Sequence, residues 1–295
     1  MSTRSNALPV ILADDLPTTP PFWRRFLRNP KAMVGAVIVV TMILVAVSAD
    51  YIAIYDPTRL SPRDRFIVPN AEHLLGTDQL GRDVLTRMIF GARVSLAVGL
   101  AAVTLSAFVG TLFGSIAGFF GGWSDTIVSR LTDSFLAIPG LLLTIGIVAV
   151  LGSGLDRMVV AIAISTWPIY ARLVRGSYLA IKEQEYVEAA RSIGARTPRI
   201  MFRHILPNAV GPILVVMTLS TANAILTEAS LSFLGVGLEP RIPTWGRMLA
   251  EAQQYIRQYA YLAIFPGLGI MIFTLGFNLL GEGLRDLIDP KQRKR

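Results

Sequence analysis

The residue types that most often carry out chemistry in proteins are scarce in this sequence. It contains no cysteine, which excludes disulfides, thiol nucleophiles and thiolate metal sites. Its two histidines, His73 and His204, are far apart along the chain. A metal centre or a catalytic group built around histidine is therefore not expected. We accordingly predict no catalytic residue, no metal site and no cofactor bound by this chain itself.

One glycine-containing stretch has the spacing of a nucleotide-binding loop. GTDQLGRD, from Gly76 to Asp83, separates two glycines by four residues, as phosphate-binding loops do. Such loops continue with lysine and then serine or threonine, whereas this sequence continues with Arg82 and Asp83. The carboxylate of Asp83 would repel a phosphate. The chain is therefore not predicted to hydrolyse ATP through this loop.

The composition indicates that lipid, rather than water, surrounds most of these residues. Of 295 residues, 53% are hydrophobic and 16% are charged, with a mean hydropathy of +0.54, whereas about 25% charged residues is usual in soluble domains. The apolar residues fall in six blocks near the ~20 residues that a membrane-crossing helix needs, without the alternation of barrel strands. We predict an all-α membrane protein with six transmembrane helices. The predicted helices are Ala32 to about Ala53, roughly 94–120, roughly 134–151, Met158 to about Ala171, about 210–226 (with an extension toward Phe233 left open) and about 262–280.

The distribution of lysine and arginine orients these helices. A net charge of +8 would suit a nucleic-acid partner in a soluble protein, but in a membrane protein it reports basic cytoplasmic loops, so none is expected. Basic residues cluster in 24–31, in 172–203 and in 285–295. We therefore expect both termini in the cytoplasm, a cytoplasmic tail over residues 1–30 and a first helix retained as a signal anchor. Residues 54–93 then lie outside, where five acidic residues nearly balance six arginines.

Glycine and proline positions predict details of helix packing. Gly110, Gly114 and Gly118 recur every four residues on the second predicted helix, and such a face lets another helix approach closely. Packing inside the bundle is favoured over a dimer interface, because a six-helix bundle has many internal contacts. Pro139 and Pro168 are expected to break their helices locally.

Four polar side chains in the predicted spans are candidates for a polar route through the membrane. They are Thr166, Asn223, Glu228 and Asn278. Polar groups in hydrocarbon are costly and often functional. The alternative is that the two asparagines bond neighbouring helices and that Glu228 lies near an interface. The residues alone leave both readings open.

A charged segment interrupts the apolar pattern between the fourth and fifth helices. Its sequence, EYVEAARSIGARTPRIMFRHILPN, predicts a helix over about 178–193 that Gly194 closes in a left-handed conformation. Thr197 is predicted to cap a second short helix that must stop near Pro207. Two short charged helices with apolar anchors suit docking to a soluble partner. The alternative is an amphipathic helix that lies on anionic lipid. The glutamates of the segment argue against this alternative, because anionic lipid would repel them.

The same segment resembles the EAA loop of ABC-importer permeases, the cytoplasmic element that docks on the ATPase. The matching stretch is EAARSIGARTPRIMFRHILP, although His204 stands where the family usually has an aliphatic residue. The resemblance implies a coupling loop over about 180–208. The implied ATPase-coupling residues are Glu188, Ala189, Ala190, Gly194, Arg199, Leu206 and Pro207.

Further stretches resemble the second permease subunit of the dipeptide, oligopeptide and nickel subgroup. They are HLLGTDQLGRDVLTRMIFGARVSL, LSFLGVGLEPRIPTWGRML and FNLLGEGLRDLIDP. The resemblance implies a MetI-like permease domain over 31–295, with a core of about 92–284, in the bacterial inner membrane. It also implies a second homologous permease subunit, two ATPase subunits that bind the ATP, and an extracytoplasmic substrate-binding protein. Peptides, nickel chelates, glutathione and sugars remain open as solutes.

Two other classes of protein are the alternatives. A secondary transporter would carry its own coupling-ion site and often an inverted repeat, and the sequence has no clear repeat and no chain of buried carboxylates. A membrane-embedded enzyme would need a catalytic constellation, which two separated histidines and no cysteine do not provide.

Overall fold

The computed structural model describes residues 21–288. Residues 1–20 of the predicted tail and the basic residues in 289–295 lie outside the described part. Within 21–288 the chain is helical, and its only β contact is an isolated bridge between Thr77 and Asp83. The helices are α1 (Phe22–Arg28), α2 (Pro30–Val47), α3 (Ala49–Ile52), α4 (Val84–Phe120), α5 (Gly122–Leu136), α6 (Gly140–Leu151), α7 (Leu155–Ile181), α8 (Glu185–Ser192), α9 (Thr197–Arg199), α10 (Leu206–Phe233), α11 (Trp245–Ala252) and α12 (Tyr261–Ile288).

Five helical segments are long and apolar enough to cross a membrane. They are α2, α4, α7, the segment Thr197–Phe233 that contains α10, and α12. Helices α5 and α6 pass the same test only together, and they meet at a bend of 93°. Residues 21–288 therefore contain six candidate spans when the bent pair is counted as one, which agrees with the predicted all-α membrane fold.

The shape predicted for the third span was wrong. A single helix over 134–151 was expected, but α5 ends at Leu136 and α6 begins at Gly140. Pro139 precedes α6 with an extended backbone, at φ −54° and ψ 124°. The break at Pro139 was expected, because proline cannot continue a helix that precedes it. Its consequence, a short apolar α6 at a steep angle to the amphipathic α5, was not.

The fourth span is longer than predicted and does not break at Pro168. Helix α7 runs without interruption from Leu155 to Ile181. Trp167 and Pro168 are both buried, and the backbone oxygen of Trp167 lies 2.6 Å from the position that a Cβ would take on Gly110 of α4. A neighbouring helix that packs this closely on both sides of a proline holds the helical path, as is common in membrane proteins.

The second span begins ten residues earlier than expected, at Val84. Asp83 caps α4, and its side chain accepts a hydrogen bond of 2.7 Å from the backbone of Thr86. Arg87 and Arg93 lie in this first part of α4. Their charges lower its hydropathy, so the apolar pattern did not include these residues. Arg93 is paired with Asp50 at 2.8 Å, and Arg87 is paired in a buried cluster described below.

Glycines also set the contact between the first and last spans. A Cβ on Gly283 of α12 would lie 2.6 Å from Ala32 of α2, and a Cβ on Gly35 would lie 2.8 Å from Gly276. Farther along the same bundle, Trp245 of α11 packs edge-to-face on Phe273 of α12, with ring centroids 5.5 Å apart. The small residues bring α2 and α12 together, and the aromatic pair packs α11 against the middle of α12.

Candidate functional site

The charged segment folds as two short helical pieces with a fixed turn between them. Helix α8 ends at Ser192, and Gly194 has φ +82°. The backbone amides of Gly194 and Ala195 donate to the oxygens of Arg191 and Ala190, at 3.0 and 3.1 Å. This is the Schellman pattern that closes a helix through a left-handed glycine. No atom lies within 4 Å of the position of a Cβ on Gly194, so only the backbone conformation requires glycine there.

Three local expectations for this segment were wrong. The predicted helix over 178–193 is interrupted, because α7 ends at Ile181 and α8 begins at Glu185. Thr197 is the first residue of α9 rather than its cap, since Arg196 holds the extended capping position. The helix does not stop near Pro207 either. A π-helical turn, Ile200–Ile205, leads directly into α10, where Pro207 is the second residue, and a first-turn proline needs no hydrogen-bond donor.

One side of the segment is anchored in the bundle. Val187 of α8 and Ile205 of the π-helical turn are fully buried against Val174 and Tyr178 of α7. The hydroxyl of Tyr178 donates to the backbone oxygen of Met201 at 3.0 Å. Residues 185–205 are therefore an ordered part of the bundle. We call them the 185–205 segment.

The other side of the 185–205 segment is exposed and mixes charged and apolar residues. Ile193 is 86% exposed and Phe202 is 57% exposed. Glu188 is exposed and takes part in none of the ion pairs between residues 21 and 288. The exposed side of the segment thus presents two large hydrophobic side chains and the carboxylate of Glu188 to its surroundings. Of the other coupling candidates, Ala189, Gly194, Arg199 and Pro207 are exposed, Leu206 is half-buried, and Ala190 is buried.

The anchored side connects to the small-residue face of α4. A Cβ on Gly118 would lie 2.6 Å from the Cβ of Tyr178, and a Cβ on Gly114 would lie 3.0 Å from the Cα of Ala171. Gly110 meets α7 in the same way, as described for Trp167 above. The three glycines thus lie against α7 of the same chain, and Tyr178 touches both α4 and the 185–205 segment.

The four polar candidates for a membrane route are placed differently from one another. Glu228 is fully buried, and its two carboxylate oxygens accept hydrogen bonds of 2.8 Å from Ser95 of α4 and Ser232 of α10. Thr166 is half-buried, and its hydroxyl lies 2.7 Å from that of Ser106. Asn223 is exposed on α10, and Asn278 is half-buried on α12. In the described part of the chain, no hydrogen bond joins any two of the four candidates.

A buried ion cluster was not recognised in the sequence. It consists of Asp78, Arg82, Arg87 and Glu251. The carboxylate of Asp78 accepts from Arg82 Nε at 2.7 Å and from Arg87 Nη1 at 2.5 Å. The carboxylate of Glu251 accepts from the same two arginines at 2.7 and 2.9 Å. The cluster explains GTDQLGRD, whose charged residues bind one another and helices α4 and α11 rather than a phosphate.

The arginines set the charge state of the cluster. Burial alone would raise the pKa of Glu251 above its ordinary 4.5, but the positive charges of Arg87 and Arg82 lower it instead. The side chain of Glu251 is therefore ionised at neutral pH. The spacing of Asp78 and Arg82, four residues apart, could have predicted an ion pair between them. Glu251 lies too far along the chain for any spacing to connect it with that pair.

Further contacts, besides the ion cluster, hold the loop that precedes α4. The hydroxyl of Tyr261, the first residue of α12, donates its single proton toward the backbone oxygen of Thr77 at 2.7 Å, and the backbone oxygen of Ile67 lies 3.1 Å from it. Phe66 stacks on Tyr259 with ring centroids 4.4 Å apart. Residues 53–83 are thus tied to the starts of α4 and α12 and to α11.

Comparison with known proteins assigns the chain to a class and then to a family. Its helical bundle resembles the MetNI methionine ABC transporter in an inward-facing conformation, with a TM-score of 0.56 and 19% identity, over 68% of this chain and 96% of that one. A crystallised amino acid ABC transporter with histidines gives a TM-score of 0.52 and 20% identity, over 72% and 95%. The fold is therefore that of a MetI-like ABC-transporter permease.

The family follows from the sequence comparisons. Residues 110–294 match the model of the binding-protein-dependent transport system inner membrane component, and residues 21–71 match that of the N-terminal transmembrane domain of oligopeptide transport permease C. The chain belongs to the family of binding-protein-dependent inner-membrane transport components, and it is a permease subunit of an ABC importer.

Relatives with established names are similar over almost the whole chain. The dipeptide transport system permease protein DppC of Alkalihalophilus pseudofirmus is 44% identical, over 92% of this chain and 89% of the relative. The glutathione transport system permease protein GsiD of Pectobacterium atrosepticum is 46% identical, over 92% and 90%. GsiD of an Escherichia coli O6:K15:H31 strain is 46% identical, over 97% and 95%.

Proposed function

We propose that this chain is one of two permease subunits of an importer for peptides or a related small solute such as glutathione. The solute class rests on the names of the relatives, one a dipeptide permease and the others glutathione permeases. A second, homologous permease subunit completes the path through the membrane. Two ATPase subunits bind the ATP, a substrate-binding protein delivers the solute, and this chain itself performs no catalysis and holds no cofactor.

The 185–205 segment is the proposed contact with an ATPase subunit. The observation that carries the proposal is the two-sidedness of this segment, which is anchored through Val187 and Tyr178 and exposed through Ile193 and Phe202. Motion of a docked ATPase is passed to α7 through Tyr178 and from α7 to α4 along the glycine face. The exposed carboxylate of Glu188 then pairs with a basic residue of the ATPase.

The topology proposed for this importer has both termini in the cytoplasm. In this arrangement the 185–205 segment also lies in the cytoplasm, and residues 53–83 with the ion cluster lie on the side of the binding protein. Asn223 is retained as a candidate for the solute path, because it is the exposed member of the four. Thr166 and Asn278, both half-buried, remain candidates, whereas the hydrogen bonds of Glu228 support a role in holding α4 to α10.

Substitution of Gly194 tests the coupling proposal. Valine at φ +82° is expected to cost about 1–2 kcal/mol in backbone strain, which would change the angle between the two helical pieces. Asparagine tolerates this conformation and should act nearly as glycine does. The matched control is Gly176→Val on α7, where no atom lies within 4 Å of the Cβ position and the backbone is helical.

The measurement is ATPase activity of the purified complex in nanodiscs, with and without the binding protein. Gly194→Val should leave the complex assembled but lower the stimulation by the binding protein, while Gly194→Asn and Gly176→Val should keep it. Glu188→Lys should lower the stimulation through charge reversal. Stimulation at the wild-type level in both Gly194→Val and Glu188→Lys, with the complex intact, would exclude the 185–205 segment as the coupling element.

A further inference from the structure

The short helix α1 has three distinct faces that the import function leaves unexplained. Arg25 and Phe26 are half-buried, and Arg25 Nη2 donates to the backbone oxygen of Leu287 in the last turn of α12, at 2.8 Å. Trp23 and Leu27, four residues apart, are 67% and 56% exposed. Arg24 and Arg28, also four residues apart, are exposed beside them. Residues at this spacing share one face of a helix.

The position of α1 is set by the charged end of the α2–α12 pair. Lys31 and Glu282 form an ion pair of 3.0 Å at the level where α2 begins its contact with α12. Helix α1 precedes Lys31 and packs on the residues of α12 that follow Glu282. It therefore lies beyond the first charged pair at this end of both membrane-crossing helices.

An exposed apolar surface of α2 begins close to α1. Val34, Val37 and Val40 are 51–59% exposed along one side of α2, and a helix rises 1.5 Å per residue, so Val34 is only about 6 Å from the start of α2 at Pro30. If acyl chains cover these valines, Trp23 and Leu27 lie where the acyl chains give way to headgroups. Tryptophan is enriched at that depth because its ring is apolar and its N–H is polar.

We propose that α1 lies in the headgroup layer and binds anionic phospholipid. Trp23 and Leu27 contact the upper acyl chains, and the guanidinium groups of Arg24 and Arg28 bind lipid phosphates. Charge complementarity favours this partner, because α1 has three arginines and no acidic residue in FWRRFLR, and arginine pairs readily with phosphate. A surface of an ATPase subunit is the other occupant that an experiment must distinguish.

Lipid bound at α1 has a consequence for the bundle. Arg25 fastens α1 to the end of α12, and Asn29 caps α2 by accepting from the backbone of Ala32 at 3.1 Å. Holding α1 in the headgroup layer therefore holds the ends of α2 and α12 together. Anionic lipid is expected to stabilise the permease against unfolding through this contact.

The depth of α1 is measurable because the chain has no cysteine. Leu27→Cys, Val34→Cys and Arg63→Cys are each labelled with a nitroxide in nanodiscs of phosphatidylcholine and phosphatidylglycerol. Collisions with oxygen report lipid, and collisions with a water-soluble nickel complex report water. The Leu27 label should resemble the Val34 label, whereas the label at Arg63, on the exposed loop, should report water.

Two results would overturn the proposal. If the Leu27 label collides with the nickel complex as often as the Arg63 label does, α1 lies in water. If the Leu27 label is shielded from water only after ATPase subunits are added, the partner of this face is a protein.

The arginines are tested by titrating the purified permease with phosphatidylglycerol and measuring its binding. About 1 kcal/mol per basic residue corresponds to roughly five-fold in affinity, so Arg24→Gln with Arg28→Gln should weaken binding roughly 25-fold. The control, Arg59→Gln with Arg63→Gln, removes two exposed arginines from the loop over 53–83 and should bind as the wild type does. Equal affinity in the two double variants would contradict the phosphate contact.

Discussion

Substitution of Glu251 by glutamine gives the sharpest test of the buried ion cluster. Glutamine has nearly the same shape as glutamate but carries no charge. The change leaves Arg82 and Arg87 with Asp78 as their only carboxylate. Both arginines are at least 90% buried, with side chains 8% and 3% exposed. Water therefore cannot replace the lost partner.

The cost follows from the burial of the partners. Removing one partner of a buried ion pair typically costs about 3–5 kcal/mol. Glu251 itself is 19% exposed, which allows some screening, so we expect the lower end, about 3 kcal/mol. The matched control is Glu282→Gln, which removes a carboxylate from the Lys31 pair, whose side chains are 52% and 53% exposed. An exposed pair contributes at most about 1 kcal/mol.

Thermal unfolding and hydrogen exchange in the same detergent measure the effect. The apparent Tm of Glu251→Gln should fall by roughly 6–12 °C, since 1 kcal/mol corresponds to about 2–4 °C in a chain of this size. Amide exchange in residues 53–83 should become faster, because the cluster fastens that loop. Glu282→Gln should shift the Tm little and leave the exchange unchanged. Equal Tm values and equal exchange in the two variants would refute the structural role of the cluster.

The loss of stability caused by Glu251→Gln should depend on pH. Because the pKa of folded Glu251 lies below its ordinary 4.5, the carboxylate contributes stability that is fully present above about pH 4.5. That contribution is lost as the pH falls from there through the folded pKa. The difference in stability between the wild type and Glu251→Gln should therefore be constant from pH 7 to about pH 5. It should shrink at lower pH, and a difference that disappears already between pH 7 and pH 5 would show that Glu251 is not ionised in the cluster.

Three further predictions address packing, contact and topology. Gly114→Leu should lower the abundance of the protein in membranes severalfold on an immunoblot, because Ala171 leaves no room for a side chain. Normal abundance would show that this face of α4 contacts lipid instead. Tyr178→Phe should cost about 1 kcal/mol through loss of the hydrogen bond to Met201, measured as a lower Tm, and an unchanged Tm would contradict the contact. An impermeant thiol reagent should label Arg63→Cys from outside the cell and Arg196→Cys only after lysis, and the reverse pattern would exclude the proposed topology.

The spans were predictable because their signal is local. Apolar runs of bilayer length identify helices without any knowledge of their neighbours, and Gly194 could be placed at a helix end because glycine adopts a left-handed conformation without steric cost. Start and end residues were less accurate where charges lie inside a helix. Arg87 and Arg93 concealed the first ten residues of α4, since a hydropathy pattern cannot register that each arginine is paired.

The remaining errors share one physical cause, which is long-range contact. Pro168 does not break α7, because α4 packs against it. The hydrogen bond that Glu228 accepts from Ser95 joins positions far apart in the sequence and could not be read from it either. The ion cluster joins residue 78 to residue 251, and no spacing rule connects positions so distant. Such contacts are set by the packing of the bundle, which the order of residues does not display.

The central claim is that this chain conducts solute for an ATPase-driven importer, and solute uptake by the reconstituted complex tests it most directly. Proteoliposomes containing the chain together with a second permease subunit and ATPase subunits are loaded with ATP and given labelled dipeptide or glutathione. We predict uptake of one of these solutes only when ATP is inside and the binding protein is outside, with no effect of a protonophore. Uptake by this chain without ATP or binding protein, and abolished by the protonophore, would contradict the account and indicate an ion-coupled transporter.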